Sequence, residues 1–170
     1  MNGLPRRALL ALPLLLVTLS ACGFEPLYSE RTNARIDPKL AAIKVAPIHE
    51  RVGQMLEWRL RESLNPDGRQ ADVRYVLNVQ LTVQRADLGI QRDTTASRGQ
   101  VTTVATFTLN DAKTKAVLYR SRSETIGDYD VTNDAFAAQV AFDDTQKRAV
   151  RDLTDDIHTR LATFLRDNGN

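Results

Sequence analysis

The groups able to do chemistry in this 170-residue chain are few and scattered. There is one thiol, Cys22, so no intramolecular disulfide can form and no cysteine cluster can hold zinc. Of the two imidazoles, His49 is expected at a strand–helix junction and His158 on the flank of a long helix. Neither belongs to a nucleophile-elbow motif or a recognisable serine–acid arrangement. No glycine-rich phosphate loop, H-E-x-x-H pair or EF-hand spacing occurs. The acid pairs Asp143-Asp144 and Asp155-Asp156 are neighbours in a helical pattern, where adjacent side chains diverge by about 100°. A solvated face accounts for them better than a metal site. The residues thus predict no catalytic centre, no metal and no dissociable cofactor, and the chain is expected not to be an enzyme.

The cysteine is informative for another reason. Residues 1–22 read MNGLPRRALLALPLLLVTLSAC: Arg6 and Arg7 form a positive start, Ala8 to Val17 an apolar run broken by Pro13, and small residues lead to Cys22. This is the build of a secretory signal peptide. Its apolar run is about half the roughly 20 residues that a bilayer-spanning helix needs. Leu19-Ser20-Ala21-Cys22 resembles the bacterial lipobox, in which the thiol takes a diacylglyceryl group, the signal is cut before the cysteine, and the new amine is acylated. Residues 1–21 are therefore expected to be the signal, with covalent diacylglycerol and an N-acyl chain on Cys22 as a membrane anchor. Gly23, rather than Asp, follows the cysteine, which by resemblance to lipoprotein sorting favours the periplasmic side of the outer membrane.

Charge narrows the partners. Setting aside Arg6 and Arg7 brings the 23 basic residues level with the 21 acidic ones, so the mature chain is formally neutral. A nucleic-acid binder would need a basic face to attract phosphates, and none is expected here. The arginines that could bind an anion are local: Arg85, Arg92 and Arg98 flank a polar connection at 85–98, and Arg120 and Arg122 share one face of the following strand. Guanidinium forks suit carboxylates and phosphates. Such a group could hold a glycolipid head group, or could be scattered solvated charges balanced by nearby acids.

The elements that must position these groups follow from periodicity. Residues 22–38 form a lipidated tether between Pro26 and Pro38, in which Phe24, Leu27 and Tyr28 either lie against lipid head groups or dock on protein. Residues 39–170 form one domain. A strand is expected within 40–48. A helix over 49–64 carries the stripe Val52, Met55, Leu56, Leu60 and Leu64, with Trp58 at the core's edge, and ends at Asn65-Pro66-Asp67-Gly68. Residues 72–84 alternate, with Val73, Tyr75, Leu77, Val79, Leu81 and Val83 on one face and only Val76 out of pattern, which predicts a sheet with one buried and one polar side. Residues 99–109 repeat that pattern. Asn110-Asp111 marks a turn, and Lys115 to Ile126 forms a fourth strand of less certain register, leaving Gly127 to Asn133 as an acidic loop. Residues 85–98 either extend the hairpin or form a loop. A helix capped by Asn133 or Asp134 runs over 133–168, with a change of face near Asp143-Asp144 that marks a bend or a break. The fold class is α+β: a two-layer sandwich, two helices on one face of a roughly four-stranded, mostly antiparallel sheet.

The lipobox, the run Cys22-Gly23-Phe24-Glu25-Pro26-Leu27-Tyr28 and this order of elements resemble the lipopolysaccharide-assembly lipoprotein (LptE) family of the outer-membrane translocon. The resemblance implies a non-enzymatic lipoprotein that plugs a large outer-membrane β-barrel and helps assemble or export lipopolysaccharide. Its partners would be that barrel, lipopolysaccharide and, through the anchor, the membrane. Basic residues near strand ends that contact glycolipid in the family find a counterpart here around Arg92 or Arg98. The acidic 127–133 segment carries no such contact. The rival expectation is a generic periplasm-facing lipoprotein that binds a small ligand or scaffolds another envelope complex.

Overall fold

A computed structural model describes residues 38–68, 71–88, 97–132 and 134–168. Cys22, Phe24, Leu27, Tyr28 and Arg92 lie outside these residues. The described chain runs α1 (Pro38–Ala41), β1 (Ile43–Val45), α2 (Arg51–Leu64), β2 (Tyr75–Leu88), β3 (Ser97–Asp111), β4 (Val117–Val131) and α3 (Ala135–Asp167). The four strands form one sheet in the order β1-β2-β3-β4, with β1 parallel to β2 and the other pairs antiparallel. This is the expected α+β sandwich, with one addition. The segment before β1 makes a single helical turn, α1, which buries Leu40, so the strand there shortens to three residues.

Alternation decides which side of the sheet is covered. The register sets Leu77 opposite Leu109 and Leu109 opposite Tyr119; one row on, Val79, Phe107 and Ser121 line up. Leu77, Val79, Ala105, Phe107 and Leu109 join Leu56 and Leu60 of α2 and Val150, Leu153, Ile157 and Leu161 of α3 in one buried cluster. Burying a Leu or Ile of this kind stabilises the fold by about 1.5–3 kcal/mol. Val73 does not take part: it precedes β2 and is exposed.

Local chemistry fixes the ends of the elements. At the β3–β4 turn, the Asp111 carboxylate accepts hydrogen bonds from the backbone N–H of Lys113 (2.8 Å) and Thr114 (2.7 Å). Those bonds from Thr114 and Lys113 outweigh the small desolvation and hold its pKa below the usual carboxylate value. Before α2, Glu57 accepts from the N–H of Ile48 at 2.9 Å and pairs with Arg61 at 2.6 Å, tying the β1–α2 connection to the helix. Asp134, not Asn133, is the described cap of α3, accepting from the N–H groups of Phe136 and Ala137.

One open choice about length is settled and one expectation changes. The hairpin strands extend well past 84 and before 99, giving fourteen paired rows from Tyr75–Asp111 to Leu88–Arg98. Gly127 to Val131 is strand rather than loop: Asp128 and Asp130 point outward, while Gly127 and Tyr129 face the helix. α3 then continues as a single helix of 33 residues with no break at Asp143-Asp144. It runs antiparallel to β4. Phe142 meets Tyr129, Thr145 lies over Gly127, Arg160 donates to Ser121, and Phe164 stacks on Tyr119 with centroids 4.7 Å apart. Ten strand residues and 22 helix residues therefore cover the same length, as a rise of about 3.3 Å per strand residue and 1.5 Å per helix residue requires.

Candidate functional site

Two surfaces are not used by the core. The first is the uncovered side of the sheet. Its rows read Asn78, Thr108 and Arg120; Gln80, Thr106 and Arg122; Thr82, Val104 and Glu124; Gln84, Thr102 and Ile126; Ala86, Gln100 and Asp128. Neutral hydroxyls and amides fill its centre, and charge lies on β4, at the far end of β3 and at Lys44 of β1. Polar groups pair across the strands, Gln100 donating to Asp128 at 3.2 Å and Asn78 to Asn110 at 3.5 Å, and along β4 Arg122 pairs with Glu124 at 2.6 Å. Ile126, 59% exposed, is the one large apolar side chain strongly exposed in this array. Near the turn, a register irregularity between Leu109 and Asn110 leaves Val117 and Leu118 exposed.

The arginines expected to group do so only in part. Arg120 and Arg122 sit on successive rows of the open face, both exposed. Arg98 is also exposed, but it faces Asp130 at the other end of β3, ten residues from Thr108. At about 3.3 Å per residue that is some 33 Å from Arg120, too far for one small head group to bridge. Arg85 lies on the opposite side of the sheet. Its guanidinium rests on the Tyr129 ring at 5.3 Å and the Phe142 ring at 5.2 Å, closing the core beneath α3 by cation–π contact.

The second surface was not legible as a site. α2 and α3 leave between them a groove of about 450 Å³ floored by Met55 and Val150, with Trp58 at its mouth, and rimmed by Arg51, Gln54, Arg59, Lys147 and Arg151. Trp58 is 61% exposed rather than tucked at the core's edge, because its position on α2 faces this opening and not the sheet. The available signal was the placement of two cations one turn apart, Lys147 and Arg151, a pairing that costs an isolated helix stability.

The histidines are apart. His49 is exposed in the β1–α2 connection, and His158 is partly buried on α3. Desolvation lowers the His158 pKa from its ordinary value, partly opposed by the Asp155 carboxylate. Two residues earlier, burial raises the Asp156 pKa, but hydrogen bonds from Arg160 and Ser123 together with the Arg160 charge leave it below the usual value. Among the described residues, no three His, Cys, Asp or Glu side chains converge to bind a metal, and no helix is long and apolar enough to cross a membrane.

Comparison with known proteins gives the fold a context. A family model described as "LptE: Lipopolysaccharide-assembly" matches residues 40–161, from α1 to the last turns of α3. The crystal structure of a lipoprotein from Caulobacter crescentus superposes with a TM-score of 0.64 at 28% identity, covering 78% of this chain and 96% of the other. Rare lipoprotein B from Shewanella oneidensis gives a TM-score of 0.55 at 16% identity, over 75% of this chain and 97% of its own. A minor lipoprotein from Acinetobacter baumannii gives 0.51 at 18%, over 71% and 88%. These last two likenesses concern the fold alone. The comparison with curated proteins found no match.

Proposed function

The chain belongs to the lipopolysaccharide-assembly (LptE) family, and we propose that it serves that assembly as a non-enzymatic, acylated plug of an outer-membrane β-barrel. Membership associates it with the lipopolysaccharide transport machinery of the cell envelope. The single observation supporting the finer role is the open sheet face. A soluble antiparallel sheet with one face packed on helices presents the other to water or to a polar partner. Here that face is long, flat in charge at its centre and dressed with Thr, Gln and Asn, the chemistry that meets the polar interior of an outer-membrane barrel. An acyl anchor on Cys22 and the 22–38 tether would hold the domain beside such a barrel, on the periplasmic side of the outer membrane. Arg120 and Arg122, adjacent on that face, are the pair placed to meet an anionic sugar-lipid group together; Arg98 would act separately.

Co-purification from detergent-solubilised membranes tests this directly. A large β-barrel protein should elute with the tagged chain in near-stoichiometric amount. Elution without a barrel would leave the chain in the envelope without the role proposed for it.

A further inference from the structure

The groove between α2 and α3 has a chemistry that the open sheet face lacks. Four cations, Arg51, Arg59, Lys147 and Arg151, surround an apolar floor, and no acid lines it. None of the four forms an ion pair or hydrogen bond among the described residues. This contrasts with the neighbouring Arg61, Arg148 and Arg160, each paired with an acid one helical turn away. Outside the groove every cation of these two helices is paired, and the groove is the place where pairing is withheld. At its mouth stands Trp58, 61% exposed, a residue whose ring prefers the boundary between hydrocarbon and water.

We propose that, before the chain enters a barrel, this groove docks the domain on the anionic surface of a lipid bilayer. Lipid phosphates lie against Arg51, Arg59, Lys147 and Arg151, while Trp58 enters the head-group layer above Met55 and Val150. The arrangement combines the two features that hold proteins at membrane surfaces, clustered cations and an interfacial aromatic. An acidic protein segment would satisfy the cations but has no need of an exposed tryptophan between them. The inference rests on the acyl anchor proposed above, which keeps a bilayer within reach of the domain.

Trp58 is the only tryptophan in the chain, so its fluorescence reports on this groove alone. The acylated chain, reconstituted on vesicles of phosphatidylcholine with or without phosphatidylglycerol, should float with both. Its emission should shift to the blue, and be quenched by brominated acyl chains, only where phosphatidylglycerol is present, and the shift should reverse in high salt. Each cation removed should lower the docked-to-undocked ratio about 5-fold, so the Arg59→Gln/Lys147→Gln variant should lose about 25-fold while still floating. Both substituted side chains sit on the groove's rim, and circular dichroism checks that the variant is folded. Equal emission on the two vesicle types would overturn the proposal. So would a blue shift produced without vesicles by inorganic phosphate or by polyglutamate. Flotation with the anionic vesicles alone would overturn the anchor and support the groove; flotation with neither would overturn both.

Discussion

Tyr129 packs its ring against the α-carbon of Gly99, its direct partner across β3 and β4, so closely that a methyl group on Gly99 would overlap the ring. An aromatic side chain covering a cross-strand glycine protects the sheet where the glycine leaves a gap. Gly99→Ala should therefore destabilise the fold by about 1–3 kcal/mol, as overpacking does. Urea denaturation should also show that Tyr129→Leu recovers part of that loss, a non-additivity expected only of contacting residues.

Thr103 is fully buried on the helix-facing side of β3, between Val83 and Thr125, and its hydroxyl has no hydrogen-bond partner. An unsatisfied buried hydroxyl carries a desolvation cost that a methyl group does not. Thr103→Val, nearly the same in shape, should raise stability by about 1 kcal/mol. A loss of that size in the same denaturation experiment would show that the hydroxyl is satisfied in solution.

His158 sets a pH dependence. Burial favours its neutral form, so the unfolded chain binds a proton more readily than the folded one. Stability from this site is fully present above the ordinary histidine pKa, 6.5, and is lost as pH falls from there through the lowered folded value. The midpoint of urea unfolding should drop between about pH 7.5 and about pH 5, and less so in His158→Gln.

The centre of the open sheet face should tolerate substitution in the isolated protein but not in the assembly. Thr106→Lys, set between Gln80 and Arg122, should change stability by no more than about 0.5 kcal/mol. Against a barrel wall the same side chain would bring bulk and charge into a neutral patch. Recovery of the barrel with the tagged variant should fall at least about tenfold, while the amount of folded lipoprotein stays unchanged.

Under the proposed anchor, Cys22→Ala should abolish incorporation of labelled fatty acid and release the chain from the membrane fraction, because that one residue would carry the acyl groups. Retention of the variant in membranes would show that another part of the chain holds it there.

How much of this was legible follows the strength of the periodicity. Alternation from Tyr75 to Gln84 in β2, with only Val76 out of pattern, and leucines at 56, 60 and 64 state which side each element buries, and the core is built from them. The end of β4 was harder, because Asp128 and Asp130 make Gly127 to Asn133 look like a polar loop. Those acids are the outward half of an alternation whose inward half is Gly127 and Tyr129, and a glycine carries no hydrophobic signal. It is there because Thr145 of α3 lies 2.6 Å from where its β-carbon would be. Arg85 was hidden for the opposite reason. A cation in an alternating strand suggests the open side, but Arg85 lies on the helix-covered side, where it stays exposed over the rings of Tyr129 and Phe142. The groove around Trp58 arises from two helices some 90 residues apart in sequence, and the one-turn spacing of Lys147 and Arg151 is the one local sign of it.

The antiparallel run of α3 along β4 acts as a vernier. A slip of the strand by two residues keeps every side chain on its own face and moves it about 6.6 Å, yet the helix surface repeats about every 5.4 Å. The two scales fall out of step at once, and the Tyr119–Phe164, Gly127–Thr145 and Tyr129–Phe142 contacts cannot all be re-made at any other setting. A long threonine-rich hairpin with little on its outer face to fix its alignment thus takes that alignment from the helix behind it. The array of side chains it offers a partner is held to a single spacing before any partner arrives.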